Sequence, residues 1–139
     1  LVKKNNWSKN RHILKSIPNP NKDAYEIKMK VPELTFEGAR EQPDFAKLYI
    51  TFYPADRIIE LKSLKEYFFA FRNQIFSYER IINVIYDDMM ATYNPERLRL
   101  MMTCNPRGGI SSKLTIDSDW AIRGGKDQFR DWIGQADKW

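Results

Sequence analysis

Apolar and polar residues alternate over residues 24–31, with Tyr25, Ile27, Met29 and Val31 set against Glu26, Lys28 and Lys30. A period of two predicts a half-buried strand. Residues 32–43, bounded by prolines and containing Gly38, read as an irregular loop. A second strand is predicted over 45–53, where Phe45, Leu48, Ile50 and Phe52 are apolar and β-rich. Pro54-Ala55-Asp56 turns the chain, and 57–61 is a short extended piece. The spacing then becomes helical. Leu64, Tyr67, Phe68 and Phe71 form one face behind Ser63 as N-cap. Tyr78, Ile81, Ile82, Ile85 and Met89 form another behind Ser77, and Asn94-Pro95 stops that helix. Strands over 97–104 and 110–116 follow, and Phe129, Trp132 and Ile133 recur at helical spacing in the tail.

The order is strand, strand, helix, helix, strand, strand. It predicts an α+β fold, an antiparallel sheet with two helices on one face. Such a sheet leaves its second face and both edges open, and with 14% aromatic residues the expected remedy is association with further copies. Residues 1–23 are rich in Asn, Lys and Ser and read as a flexible extension. Residues 24–139 are then a single domain, as a length of 139 suggests.

Charge refines this division. The net charge is +5, but residues 1–30 carry eight Lys/Arg against two acids, and the remainder fifteen against sixteen. The basicity therefore belongs to the N-terminal arm, which is a solvated extension or, less in keeping with its single aromatic Trp7, an RNA contact. The lone Cys104 and lone His12 exclude a Cys/His-rich zinc site within one chain, and no metal is expected. A catalytic triad would have to use His12, in a polar stretch. No apolar run approaches a membrane span, and Leu1 to Asn6 lack a signal-peptide stretch, so a cytoplasmic protein is expected.

Four places carry candidate chemistry, each beside a plainer role. Asp44, after Pro43, suits a general acid or base, or a turn residue. Glu60-Leu61-Lys62-Ser63-Leu64-Lys65 runs into a helix start, where free N–H groups and two lysines suit an anion, or where the lysines are merely solvated. Arg107-Gly108-Gly109 suits a phosphate clamp or a hairpin turn. Glu79, in the first turn of the second helix, favours the helix dipole. It also has the geometry to accept two parallel hydrogen bonds from a guanine-like ring. No dinucleotide-fold or P-loop glycine motif is present.

Taken together, Pro32-Glu33-Leu34-Thr35, Gln42-Pro43-Asp44-Phe45-Ala46, Glu60 to Lys65, Phe71-Arg72-Asn73, Glu79 and Pro106 to Ile110 resemble the QueF family of NADPH-dependent 7-cyano-7-deazaguanine reductases. The resemblance runs from about Tyr25 to Ile116, and the Glu-Leu-Lys-Ser-Leu-Lys block is its signature. It implies the tunnelling fold, whose subunits associate into β-barrel rings with active sites between subunits. It implies Asp44 as proton donor and Glu79 gripping the pyrimidine edge of a purine-like substrate, with Tyr78, Glu60 and Ser63 lining that site. It implies NADPH held by Lys62, Lys65, Arg107, Gly108 and Gly109, in a reaction on the route to queuosine, a modified tRNA base.

The departures are equally specific. The family's nucleophilic cysteine precedes Gln-Pro-Asp-Phe. Here that loop is Phe36-Glu37-Gly38-Ala39-Arg40-Glu41, one residue shorter and without cysteine. Tyr78 stands where the family has histidine, and Cys104 where it has an apolar residue, so Cys104 reads as core. In the family's mechanism a thiolate first adds to the nitrile carbon, and the adduct is then reduced; covalent catalysis divides one hard step. Two functions follow: nitrile reduction, or a paralogue that binds a 7-deazaguanine without reducing it or performs other acid–base chemistry.

Overall fold

In the computed structural model, residues 9–38 and 42–129 are described. The main sheet has four antiparallel strands in the order β2 (Ile27–Glu37), β3 (Pro43–Tyr53), β5 (Arg97–Arg107), β6 (Ile110–Asp117). Helices α1 (Leu61–Phe69) and α2 (Tyr78–Tyr93) intervene in sequence between β3 and β5. The strand–strand–helix–helix–strand–strand order predicted from the pattern is therefore the observed one. A small second sheet pairs β1 (Ser16–Pro18) with β4 (Arg57–Ile59).

One sheet face makes the core. Ala46, Leu48, Ile50 and Phe52 on β3 lie opposite Cys104, Met102, Leu100 and Leu98 on β5, all buried. The helices close over them with Leu64, Tyr67, Ile81, Ile82, Ile85 and Met89. The other face carries Lys28, Lys30, Lys47, Tyr49, Arg99 and Lys113, as the two-residue strand period requires.

Three local readings are corrected. The first strand does not end at Val31 but continues through Pro32 to Glu37, within what reads as a loop. The register shifts between Val31 and Leu34, and this bulge returns Leu34 and Phe36 to the core face after Ile27, Met29 and Val31. Pro32 is tolerated because β2 is an outer strand. The cap of α1 is Glu60 rather than Ser63: its carboxylate accepts from the N–H groups of Lys62 and Ser63 at 3.0 and 2.9 Å. Residues 9–19 are not loose. Arg11 Nε donates to Asp88 Oδ1 at 2.8 Å, Asp88 Oδ2 accepts from Tyr67 Oη at 2.6 Å, and β1 pairs with β4. Asp88 is fully buried, so this N-terminal segment supplies the cation that a buried carboxylate needs. Residues 1–8 and the tail positions Trp132 and Ile133 lie outside the described residues, and Phe129 lies in no helix.

Candidate active site at the Asp44 end of the sheet

Asp44 enters from the start of β3, on the core face, opposite Phe36 on β2. It is 8% exposed. The Tyr78 phenol, from the first residue of α2, donates to Asp44 Oδ1 at 3.3 Å. Phe36 packs edge-on against the Tyr78 ring at 5.8 Å between centroids. The helix starts here because Ser77 is extended and its hydroxyl accepts from the Arg80 N–H at 3.1 Å. The preceding residues are fixed to the sheet: Glu37 N–H donates to Gln74 O, and Phe76 N–H donates to Glu37 O, both at 2.9 Å. Gln74 in turn exchanges two side-chain amide bonds with Asn10 at 2.9 and 3.0 Å. The sheet, a clamped loop and a capped helix thus deliver Asp44, Tyr78 and Glu79 to one place.

Cys104 belongs to the same cluster. It is buried on β5, opposite Ala46. Burial pushes its thiol up to about 11, with further upward pushes from the negative charges of Glu79 and Asp44. The core reading of Cys104 holds, but its neighbours are the acidic groups of the site. Spacing alone did not reveal this. The signal available in the sequence was parity, since Cys104 continues the inward series Leu98, Leu100, Met102.

The β5–β6 hairpin projects from this same end. Gly108 and Gly109 form its two-residue turn with φ of 56° and 79°, a conformation that explains both glycines. Arg107 ends β5 beside them. Residues 39–41, the rest of the loop that lacks cysteine, lie outside the described residues.

The remaining predicted residues lie elsewhere in the chain. The Glu60 carboxylate is engaged in capping α1, and the Ser63 N–H bond, followed by that of Lys62, holds its pKa below the usual carboxylate range despite an opposing effect of burial. Ser63 Oγ accepts from Lys15 N–H at 3.0 Å and donates to Glu60 O at 2.8 Å. Charge on Glu60 is felt by Tyr93, at the far end of α2, about 22 Å along the helix from Tyr78 at 1.5 Å per residue. Glu60 and Ser63 are therefore not gathered with Asp44 within one chain. Lys62 is exposed on α1. Lys65 lines a groove of about 560 Å³ between the outer strand β2 and α1. Val31, Leu64 and Phe68 give it an apolar lining and Arg72 a second cation, whereas the ammonium groups of Lys28 and Lys30, also on β2, are turned to the opposite face of the sheet, onto Thr51 at 3.1 Å and the Tyr49 ring at 5.7 Å. Arg72 lies over the Phe69 ring at 4.8 Å. An apolar floor edged by cations fits a cofactor with an aromatic base and phosphates. Among the described residues, no three metal-ligating side chains gather, and no helix is long and apolar enough to cross a membrane.

The family model described as QueF-like protein matches residues 43–123. An NADPH-dependent 7-cyano-7-deazaguanine reductase of Prochlorococcus marinus (strain MIT 9515) is 44% identical over 105 residues, covering 72% of this chain and 75% of the relative. The protein of the same name from Thioalkalivibrio sulfidiphilus is 39% identical over 107 residues, covering 74% and 82%. Among solved structures, an archaeosine synthase QueF-Like in the apo form superposes with a TM-score of 0.58 at 11% identity, over 66% of this chain and 91% of that one. At that identity the superposition speaks for the fold. The sequence matches go further, and by them the chain belongs to the QueF-like family.

Proposed function

We propose that this chain is an enzyme of 7-deazaguanine metabolism whose reaction is the NADPH-dependent reduction of the nitrile of 7-cyano-7-deazaguanine. The observation that carries the reading is the placement of buried Asp44 beside Tyr78 and the first-turn carboxylate Glu79. Glu79 would accept the paired N–H groups of the pyrimidine edge, a geometry a carboxylate suits. Asp44 would hold the proton delivered to the nitrogen of the reacting group. NADPH, when bound, supplies the hydride. Lys65, with Arg72 in the same groove, would hold its phosphates, and Lys62, Arg107, Gly108 and Gly109 remain candidate contacts.

The site residues fall into two groups far apart in one chain, Asp44 with Glu79 and the α1 start with its groove. Sites between subunits would reunite them. Among the described residues both outer strands of the main sheet, β2 and β6, have no strand on their outer edge, which suits such an assembly, and a β-barrel ring is the form the family resemblance favours. We propose a cytoplasmic protein, and the basic arm is the segment that an RNA contact would use.

A second reading has its own observation. Cys104, the lone cysteine, is held as a neutral thiol, and the loop before Gln42 contains none. A paralogue that grips the ring without reducing it needs no nucleophile. Titration calorimetry with 7-cyano-7-deazaguanine, followed by NADPH absorbance at 340 nm, separates the two. Binding with oxidation supports reduction. Binding without oxidation supports the paralogue, and no binding leaves only the fold in common with the reductases.

A further inference from the structure

We propose that Tyr78 is the positioning residue for Asp44, its phenol holding one carboxyl oxygen so that the group faces a ring gripped by the adjacent Glu79. This rests on the reading of Asp44 as proton donor and adds a residue to it.

The phenol is itself held from three sides. It stands at the first position of a helix fixed by the Ser77 cap. The edge-on contact with Phe36, a fully buried ring, restricts its rotation. Its hydroxyl donates to Asp44 Oδ1 at 3.3 Å. Asp44 is more than nine-tenths buried, so a carboxyl bonded there has little room to turn.

The choice of residue has a chemical consequence. An ordinary phenol keeps its proton to about pH 10, whereas an imidazole gains a charge near about 6.5. Among the described residues, the charged and titratable groups at this end include Asp44 on β3, Glu79 and Arg80 on α2, Cys104 and Arg107 on β5 and Glu37 on β2. An ordinary phenol, unlike an imidazole, adds no group that gains a charge across neutral pH. An imidazolium in its place would hold Asp44 ionised and so oppose proton delivery.

The test uses Tyr78→Phe, which keeps the ring against Phe36, and Tyr78→His. With 7-cyano-7-deazaguanine and NADPH, Tyr78→Phe should lower kcat about tenfold with KM within about twofold, the size of one lost hydrogen bond acting in the reaction step. Tyr78→His should recover rate at pH 8 and lose it again below about 6.5, a limb absent from the parent protein. An unchanged kcat in Tyr78→Phe, or a Tyr78→His profile matching the parent, would overturn the proposal. If the parent protein turns over no substrate, the reaction reading falls, and the contact is tested by urea unfolding of Tyr78→Phe, Asp44→Asn and the double variant. A coupling of about three- to tenfold in the folding constant is expected, and simple additivity would overturn it.

Discussion

The two ends of the main sheet each bury a carboxylate, and they treat it in opposite ways. At one end Asp117, 2% exposed, accepts two bonds from Arg97 at 2.7 and 3.2 Å, one from Arg99 at 3.2 Å and one from the Asp119 N–H at 2.9 Å. Burial alone would raise its pKa, but the bonds and charge of Arg97, the Asp119 N–H bond and the Arg99 bond together outweigh that and hold the carboxyl below its usual range. Phe129 and Tyr53 then cover Arg97, with ring centroids 5.2 and 5.3 Å from the guanidinium. At the other end Asp44 meets a phenol and lies in a cluster with a neutral thiol and a second carboxylate. A carboxylate clasped by guanidiniums is fixed in its charged form and braces the fold. One set beside a phenol is met there by a neutral donor instead.

The largest expected effect breaks the braced end. Asp117→Ala leaves Arg97 buried without its partner and should cost about 3–5 kcal/mol of stability, measured by urea unfolding. A loss under about 1 kcal/mol would mean that the pair is not a brace. The same group sets an acid limb. Because the folded-state value is depressed, its stabilisation is present above the unfolded value of about 3.9 and is lost as pH falls from there through the folded value. Melting temperatures from pH 6 downward should therefore fall more steeply for the parent protein than for Asp117→Asn.

Asp44→Asn tests the contrast from the other side. The amide oxygen still accepts from Tyr78, but the side chain no longer delivers a proton. Turnover should drop about a hundredfold or more, while stability changes by about 1 kcal/mol or less. A loss of stability matching that of Asp117→Ala would make Asp44 a second brace and erase the distinction between the ends.

The contrast also explains what could be read from sequence. Element order was legible because each core strand alternates and each helix repeats its apolar face, so Leu48-Ile50-Phe52 and Ile81-Ile82-Ile85-Met89 announce themselves. The end of β2 was not, because the bulge at Pro32-Glu33 shifts the parity that alternation relies on. Tyr78 and Glu79 were nameable from their place beside family motifs. The Tyr78–Asp44 bond was not, since it joins residues on different elements. The Arg97–Asp117 brace escaped for the same reason. Its partners face each other across β5 and β6, and charged residues on strands usually face water.

The smallest effect concerns Cys104, and it bears on whether the acidic end holds a hidden nucleophile. With its thiol pushed up to about 11, only about 0.03% would be thiolate at pH 7.5, and attack on a nitrile needs the thiolate. The rate of iodoacetamide labelling should therefore be low at neutral pH and rise toward pH 11. Glu79→Gln removes one of the two negative charges that raise it, while burial, the larger cause, remains, so the labelling midpoint should move down only in part. A midpoint near 8.5 in the parent protein would show a thiol as available as an ordinary cysteine. The absence of cysteine from the loop before Gln42 would then no longer weigh against reduction, because β5 would supply the sulfur beside Asp44.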